Sequence, residues 1–433
     1  MQEPNPGDYV EIQLHNGKIL KGIVMPRSEL DTTDVLILKL DNGYNIGIRK
    51  DKIARIEIVK KYSIEKEVER VVQRKEGLPV IGMFATGGTI GSRVDYATGA
   101  VTAKYSAADI LDLVPEIADI ANVEGHLIFN MLSENLTPAH WIEIARKISE
   151  HLDEYYGIVI THGTDTMAFT AAALAFMLEQ QRIPVILTGA QRSSDRPSSD
   201  VHLNLLCAVR AACSDVAEVC IAMHGETEDT YVLLHRGVRA KKLHTSRRDA
   251  FVSVNDVPLA KIWKERIEFL RNDYKKRNQD KENRIFLNIE QRVALLKFFP
   301  GMPAELVDVL VDKGYKGLVI EGTGLGHVGE YLLPAIRRAV EEGLVVCMVS
   351  QCIWGRINMC VYSTGRKLLQ AGVVPCEDMT AEAALSKLMY LLGKYDAETA
   401  KKLMPVNLKG EISERSSYLV SRPPKFYYHE SLV

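Results

Sequence analysis

The stretch LPVIGMFATGGTIG, residues 78–91, decides the fold class, because its apolar run ends abruptly in hydroxyl and glycine residues. A second stretch, GIVITHGTDTM at residues 157–167, repeats this pattern. Continuous apolar runs are typical of strands that are buried on both faces of a parallel sheet. Amphipathic segments such as PAHWIEIARKISEHL, residues 138–152, separate the runs. This alternation predicts a parallel sheet with helices on both faces, and we expect the functional residues at the carboxyl ends of its strands.

The chain before residue 78 has a different character. Residues 1–60 contain short runs rich in β-branched residues, separated by Asn-Gly pairs at 16–17 and 42–43, which predicts a small SH3- or Sm-like all-β barrel. Such a barrel either binds RNA or peptide, or serves as a docking appendage. The charged residues 61–77 predict a linker helix between domains.

A second charged stretch, RNDYKKRNQDKENR at residues 271–284, interrupts the α/β pattern and predicts a domain boundary beside it. We therefore expect one α/β domain over residues 78–285 and a second over residues 286–433. The stretch carries six basic and three acidic residues. This composition is typical of a solvated linker, and the alternative is a surface that faces RNA.

The overall composition excludes several classes of protein. The 433 residues have a formal net charge of -2, so the whole chain lacks the basic character of many nucleic-acid-binding proteins. The N-terminus resembles no signal peptide, and no apolar run approaches the roughly 20 residues of a membrane helix, so we expect a cytoplasmic protein without membrane contact. The seven cysteines form no C-x-x-C pair and are expected to be buried, reduced thiols. The histidines show no metal-binding spacing, and we predict no metal site.

The first candidate site segment follows the apolar run that ends at residue 85. Thr86 is followed by Gly87 and Gly88, and Thr89 adds a second hydroxyl. Two glycines allow the backbone to approach a ligand closely and leave N–H groups free to bind an anionic oxygen. The segment therefore offers a candidate nucleophile together with oxyanion donors.

Two further segments supply charges. Thr164 and Asp165 follow the second apolar run, where a helix N-cap would explain one such residue but not the whole run from His162. Lys242 lies in VRAKKLHTSRRDAF and belongs to a solvated basic loop unless it pairs with a carboxylate. A threonine hydroxyl needs a base or a proton path, and a lysine beside an aspartate can provide one. The three segments together predict acyl transfer from Thr86.

The segments ATGGTI and ITHGTDTM closely resemble the two signature motifs of the bacterial-type L-asparaginase family. Similar motifs follow in the same order: LTGAQRSSDRPSSDVHLNL, KKLHTS, GLVIEGTGLGH and GVVPCEDMTAEAALSKLMYLL. The resemblance covers roughly residues 78–430. It implies an asparaginase-like two-domain α/β body, with Thr86 as the nucleophile. It also implies that Thr164, Asp165 and Lys242 position the nucleophile and deprotonate it. The motif leaves open which threonine attacks first.

The same resemblance implies a set of substrate-binding residues. Ser133, in NMLSENLTP, would hold the α-carboxylate of the substrate, and Glu134 with Asp165 would meet its α-amino group. Tyr96, in GSRVDYATGA, would be the tyrosine of a mobile lid, with Tyr105 as a competitor for that role.

A small barrel ahead of an asparaginase-like body resembles one family in particular, the D subunits of archaeal glutamyl-tRNA(Gln) amidotransferases, which are carbon–nitrogen ligases with glutamine as amido donor. The resemblance implies that this chain hydrolyses glutamine and carries no cofactor of its own. Ammonia would pass to an E subunit, where ATP and Mg²⁺ serve the amidation of glutamate attached to tRNA(Gln). It further implies a heterotetramer that contains a homodimer of this chain. We also expect the lid near Tyr96 to be disordered alone and to close in the complex.

Two departures and three alternatives accompany this interpretation. His327 stands where the asparaginase family usually has asparagine, at a site that often belongs to a subunit interface, and the charged insert is unusual for free asparaginases. GLGHVG matches a nicotinamide-cofactor motif, but the next apolar run ends in Ser350 and Gln351 rather than in the acidic residue that the motif requires. A free-standing asparaginase with an accessory barrel is the second alternative, and a non-catalytic binding module is the third.

Overall fold

The computed structural model describes residues 3–26, 33–42, 44–62, 73–88, 92–94, 101–103, 106–193, 198–278 and 280–416. Thr89, Tyr96 and Tyr105, and with them the lid hypothesis, lie outside the residues whose side chains are described. Most of the predicted linker helix, residues 63–72, also lies outside the described part. Its described ends, residues 61–62 and 73–77, have no helical conformation.

The N-terminal part is a five-stranded antiparallel sheet in the order β4-β3-β2-β1-β5. Its strands are β1 (Tyr9–Leu14), β2 (Ile19–Val24), β3 (Val35–Leu40), β4 (Asn45–Arg49) and β5 (Ile53–Lys60). Val10, Ile12 and Leu38 are fully buried in a core of their own, because alternate residues of a strand face the same side of the sheet. The predicted all-β character of this part is confirmed.

An eight-stranded sheet forms the first half of the α/β body, in the order β17-β16-β13-β12-β11-β10-β6-β9. The strands of this half, including two short ribbons β7-β8 and β14-β15, are β6 (Val80–Ala85), β7 (Ser92–Val94), β8 (Val101–Ala103), β9 (Asn122–Leu127), β10 (Gly157–Thr161), β11 (Val185–Thr188), β12 (Val219–His224), β13 (Val232–Arg236), β14 (Ala240–Lys242), β15 (Phe251–Ser253), β16 (Ala260–Ile262) and β17 (Ile267–Phe269).

This large sheet is mixed, whereas the sequence predicted a parallel one. Strands β9, β6, β10, β11 and β12 are parallel, but β13, β16 and β17 continue the sheet in antiparallel pairs. The connection from β12 to β13, residues 225–231, is too short for the crossover that a parallel neighbour needs. The parallel half nevertheless keeps the predicted edge, where the carboxyl ends of β6, β10 and β11 lie side by side.

A smaller sheet of four parallel strands forms the second half, in the order β18-β19-β20-β21. These strands are β18 (Val293–Lys297), β19 (Gly317–Gly322), β20 (Val345–Ser350) and β21 (Val374–Pro375). The α/β architecture is therefore confirmed. The domain limits at residues 60, 77 and 285 stay predictions.

Helices cover both faces of the large sheet. In the described part of the chain the α-helices are α1 (Ala107–Leu113), α2 (Pro138–Ser149), α3 (Met167–Met177), α4 (Val201–Ala212), α5 (Glu305–Asp312), α6 (Leu333–Glu341), α7 (Ser363–Gln370), α8 (Ala381–Lys394) and α9 (Ala397–Leu403). Ile158 and Ile160 of β10 pack with α2 and α3, while Val159 packs with α4 on the opposite face. Helix α3 also packs on α8 of the second half, where Phe176 stacks on Tyr390 with ring centroids 6.1 Å apart.

The charged stretch 271–284 is packed against the first half of the body rather than free in solvent as a linker would be. The N–H of Ala217 donates to the carbonyl of Lys275 at 2.7 Å, and the N–H of Arg277 donates to the carbonyl of Asp215 at 2.6 Å. The guanidinium of Arg277 also lies 3.8 Å from the ring centre of Tyr156. The stretch therefore forms a fixed basic surface.

The expectation that the cysteines are buried, reduced thiols is only partly met. All seven are free thiols, and four of them are buried, namely Cys207, Cys220, Cys347 and Cys376. Burial raises the pKa of Cys207 to about 12, which keeps this thiol protonated and unreactive. Cys352 and Cys360 are exposed, contrary to the expectation of burial. None of the helices in the described part of the chain has the length and apolar character that a membrane crossing requires.

Candidate active site

Thr86 is the first residue after β6 and is held by the neighbouring strand β10. Its N–H and its Oγ1 both donate to the carbonyl oxygen of Thr161, each over 3.1 Å. Only 1% of the Thr86 side chain surface is exposed. Because β6 and β10 are parallel neighbours, this threonine and the segment that follows Thr161 come out of the sheet at the same edge.

The floor beside Thr86 consists of backbone in conformations that favour glycine. Gly87 and Gly88 have φ values of +112° and +82°, which side chains rarely permit. A Cβ on Gly87 would lie 2.2 Å from the carbonyl oxygen of Met131, and one on Gly88 would lie 2.8 Å from the nitrogen of Gly163. The two glycines are therefore required both for their conformation and for the close approach of the backbone.

Thr164, Asp165 and Lys242 form one hydrogen-bonded group. The Nζ of Lys242 donates to Thr164 Oγ1 and to Asp165 Oδ1, each over 2.8 Å. The lysine side chain is 12% exposed and the aspartate side chain is 69% exposed. The pair thus reaches from the buried hydroxyl of Thr164 to the protein surface, and it gives Lys242 the carboxylate partner that a plain basic loop would lack. Such a chain can move a proton to or from the hydroxyl.

The chain brings Lys242 to this position through the ribbon of β14 and β15. Lys242 is the last residue of β14 and pairs with Phe251 of β15. Phe251 is 2% exposed and anchors the ribbon in the core of the first half. Lys241 beside it forms an ion pair with Glu382 of α8 instead, so alternation along the strand separates the two lysines.

Ser133 and Glu134 lie in a short 3-10 turn, Ser133–Asn135, that follows β9. Ser133 is buried with 3% of its surface exposed, and its carbonyl accepts a hydrogen bond of 2.8 Å from Thr166 Oγ1. A Cβ on Gly163 would lie 2.7 Å from Ser133 Cβ, so the turn packs directly on the segment that carries Thr164. Glu134 is exposed at the outer side of the turn.

His162 supports the backbone of the same segment. Its Nδ1–H donates to the carbonyl of Gly163 at 2.7 Å, and its Nε2 accepts from Thr170 Oγ1 at 2.9 Å. Burial lowers the pKa of His162 to about 4. The ring is therefore neutral at pH 7, and both of its nitrogens are used in hydrogen bonds.

Sequence reasoning did not identify two residues of this region, Gln191 and Asp200. Gln191 follows β11, and its Oε1 lies 3.5 Å from Thr164 Oγ1, a long contact. The backbone N–H groups of Gln191 and Arg192 donate to the buried carboxylate of Asp200 over 2.9 to 3.1 Å, which fixes the loop. Their sequence signal was the motif LTGAQRSSDRPSSDVHLNL, which begins at the end of β11. The carboxyl end of this third strand meets the same edge of the sheet.

The alternative based on GLGHVG finds no support in the fold. Gly324 and Gly326 lie in a turn that a hydrogen bond from the N–H of Thr323 to the carbonyl of His327 closes, and α6 begins only at Leu333. A dinucleotide motif would instead open a helix directly. Within the described ranges, no cluster of three or more His, Cys, Asp or Glu side chains is arranged to hold a metal ion.

Three family models match the chain. The model "Asparaginase, N-terminal" matches residues 80–275, and "Glutaminase/Asparaginase C-terminal domain" matches residues 292–404. The model "GatD N-terminal domain" matches residues 4–59. The first two models account for the α/β body and the third for the antiparallel sheet before it.

Two solved structures of asparaginases each match 78% of this chain. The chain is similar to the thermostable L-asparaginase from Thermococcus kodakarensis, with a TM-score of 0.70 and 33% identity over 78% of this chain and 100% of that one. It is also similar to L-asparaginase I from Vibrio cholerae, with a TM-score of 0.67 and 32% identity over the same shares.

Curated relatives match along nearly the whole length. The D subunit of the glutamyl-tRNA(Gln) amidotransferase of Pyrococcus abyssi is 54% identical over 417 residues, which cover 94% of this chain and 95% of the relative. The D subunit of the Pyrococcus furiosus enzyme is 55% identical over 418 residues, which cover 94% of each chain. The chain therefore belongs to the family of glutamyl-tRNA(Gln) amidotransferase D subunits.

Proposed function

We propose that this chain hydrolyses the side-chain amide of glutamine, with Thr86 as the nucleophile, and supplies the ammonia to a partner subunit. The observation that carries the proposal is the contact of Lys242 Nζ with Thr164 Oγ1 and Asp165 Oδ1, each at 2.8 Å. It joins a hydroxyl, a lysine amino group and a carboxylate at the strand edge where Thr86 also lies. Hydrolysis of an amide by way of an acyl-enzyme needs this combination of groups.

In the proposed reaction, Thr86 Oγ1 attacks the amide carbon and forms a tetrahedral intermediate. Backbone N–H groups of the Gly87–Gly88 segment, together with that of Thr89 beyond it, are candidates to hold the negative oxygen. Thr164 Oγ1 relays the proton of the Thr86 hydroxyl to Lys242, which acts in this step as a neutral amine held by Asp165. The proton then returns to the leaving nitrogen, so that ammonia departs. Water then attacks the ester on Thr86 and releases glutamate.

The α-carboxylate and the α-amino group of the substrate would bind where the turn Ser133–Asn135 packs on the Thr164 segment. Ser133 would hold the α-carboxylate, and the carboxylates of Asp165 and Glu134 would face the α-amino group. The exposed position of Glu134 and Asp165 supports this assignment, because an ammonium ligand can reach both from solvent. Tyr96 would close over the substrate as part of the lid.

The names of the relatives support the second half of the proposal. We assign this chain to a heterotetramer with an E subunit, in which ATP and Mg²⁺ on that partner activate glutamate attached to tRNA(Gln). The ammonia made here would be consumed there. We further propose that the chain acts in the cytoplasm and needs no cofactor itself.

Ammonia release from the purified full chain, offered glutamine and asparagine separately, tests the proposal. We expect little turnover of either amide by the chain alone and a strong increase with glutamine when the E subunit and Glu-tRNA(Gln) are added. Brisk turnover of asparagine by the chain alone would instead indicate a free-standing asparaginase with an accessory barrel.

Substitution of the nucleophile tests the chemistry. Thr86→Val should abolish ammonia release in the complete complex, while Thr86→Ser should retain part of it. Thr188→Val is the matched control, because Thr188 is also a buried threonine at a strand end whose hydroxyl donates to a neighbouring carbonyl, that of Ala222. Full activity of Thr86→Val would contradict the proposed nucleophile and favour attack by Thr164.

A further inference from the structure

A cavity of about 300 Å³ lies away from the candidate active site, between the charged stretch 271–284 and the large sheet. Ala175, near the end of α3, and Val219, the first residue of β12, form part of its wall. The candidate active site lies at the carboxyl ends of the parallel strands, so this cavity opens at their amino ends. Its volume is at the lower limit for small-molecule sites.

The lining of the cavity is dominated by cations. Six basic side chains contribute to it, and two carboxylates, Glu179 and Glu218, do so as well. The basic residues are Arg236, Lys275, Lys276, Lys281, Arg284 and Lys409.

Both carboxylates already have partners. Glu218 accepts from Arg236 Nε at 2.7 Å and from the N–H of Lys275 at 2.8 Å. Glu179 accepts from Tyr390 Oη at 2.7 Å and also pairs with Lys394. Both carboxylates are therefore engaged by other groups, and neither forms an ion pair with the described lysines that line the cavity.

Four lysines of the lining lack a carboxylate at ion-pair distance within the described ranges, namely Lys275, Lys276, Lys281 and Lys409. Lys409 Nζ donates instead to the carbonyls of residues 178 and 179 at 2.8 and 2.9 Å. Like charges that share a recess without a counter-ion repel one another. Backbone hydrogen bonds of the charged stretch nevertheless hold Lys275 in position.

The repulsion is visible at Lys409. Burial, and next the charge of Lys275, lower its pKa to about 7, although Glu179, Glu411 and Glu218 oppose the shift. Burial also lowers the pKa of Lys275. An anion in the cavity would relieve both costs, since it favours the protonated form of each lysine.

We propose that this cavity is a binding site for the phosphate group of a small phosphorylated molecule. A phosphate carries up to two negative charges and several acceptor oxygens, which matches several lysine donors that converge on one recess. The recess shape favours a small ligand over a long RNA backbone, which would need an open basic surface. The site is independent of the proposed amide hydrolysis.

Calorimetric titration of the full chain with inorganic pyrophosphate at low salt tests the proposal. We expect saturable binding that Lys275→Gln/Lys276→Gln weakens by at least about tenfold. Lys313→Gln/Lys316→Gln is the matched control, because it removes two lysines from another surface, and it should leave the affinity unchanged. Absence of saturable binding, or equal weakening by both double substitutions, would overturn the proposal.

A parallel titration with a tRNA transcript distinguishes the source of the phosphate. Binding of the transcript that depends on Lys275 and Lys276, without binding of pyrophosphate, would overturn the proposal in favour of an RNA backbone contact. Proton uptake gives a second readout, because an anion should raise the pKa of Lys409. At about pH 8 we expect Lys409 to take up a fraction of a proton per bound pyrophosphate, which offsets any protons that the ligand itself releases. Lys409→Arg should keep the binding and shift the net proton exchange toward release by that fraction.

Discussion

Arg239 and Asp378 form a buried ion pair between the two halves of the α/β body, with Arg239 Nη1 3.2 Å from Asp378 Oδ2 and at most 2% of either side chain exposed. Arg239 also donates to the carbonyl of Gly410 at 2.7 Å and to Ser413 Oγ at 2.8 Å. The pair ties the ribbon that carries Lys242 to the second half. The two halves are thus joined by the hydrogen-bonded guanidinium of Arg239 as well as by apolar packing.

Asp378→Asn should destabilise the protein strongly, because it leaves the guanidinium of Arg239 buried without a counter-charge. Loss of one partner of a buried pair costs about 3–5 kcal/mol, so we expect a clear fall in the melting temperature. Glu330→Gln is the control, since Glu330 pairs with Lys367 at the surface and such a pair contributes about 0–1 kcal/mol. Equal melting temperatures for the two variants would contradict the role assigned to Arg239.

Lys242→Met should lower kcat for ammonia release by about 10²–10⁴-fold, the usual contribution of a positioned proton-transfer group. The fold should remain intact, because only the contacts to Thr164 and Asp165 are lost. Lys241→Met serves as the control. It breaks the ion pair with Glu382 and should lower the melting temperature, but kcat of the folded protein should not change. A normal kcat for Lys242→Met would refute the proposed proton path.

Gly88→Ala should reduce both stability and activity. A side chain at φ +82° is strained, and its Cβ would lie 2.8 Å from the nitrogen of Gly163. Gly77→Ala provides the control, because Gly77 has φ +84° but nothing lies within 4 Å of its added Cβ. We expect a strain cost of about 1–2 kcal/mol at both positions, measured by urea unfolding, and loss of ammonia release at Gly88 alone. Retained activity of Gly88→Ala would argue against a rigid backbone floor.

Acid should destabilise the protein through His235. Burial lowers the pKa of this ring from 6.5 to about 3, so the neutral ring favours the folded state fully above pH 6.5, and this stability is lost as the pH falls toward 3. At about pH 5 the free energy of unfolding is lower by about 2 kcal/mol, because each pH unit below 6.5 costs about 1.4 kcal/mol. His235→Asn should therefore show a smaller fall in melting temperature between pH 7 and pH 5. The same substitution at the exposed His15 should leave that fall unchanged.

The sequence was sufficient to predict the positions of Thr86 and Thr164 at one edge of the sheet, because both follow buried strands; their catalytic roles stay predictions. Thr86 and Thr164 reach the same edge of the sheet because β6 and β10 are parallel neighbours, and the continuous apolar runs before them are typical of such buried strands. The contact of Gln191 with Thr164 was not predictable in this way. It depends on the loop after β11, whose course is set by hydrogen bonds to Asp200 several residues later.

Other misses have a similar physical origin. The antiparallel end of the large sheet depends on the short connection at residues 225–231, whereas the apolar runs alone do not show strand direction. The charged stretch 271–284 resembles a linker in composition, but its backbone groups pair with the edge of the first half at Ala217 and Asp215. Exposure of Cys352 and Cys360 likewise follows from loop geometry after β20, which a count of cysteines does not contain.

The close approach of Gly87 to the main chain of Met131, and of Gly88 to the main chain of Gly163, means that the bottom of the site is largely main chain packed against main chain. Main-chain atoms are the same whichever amino acid a codon specifies, so point substitutions can break this surface but can hardly adjust it. A deep mutational scan should therefore show nearly uniform failure at these glycine positions. Laboratory evolution toward a different amide would find its gains at the rim, at positions such as Gln191.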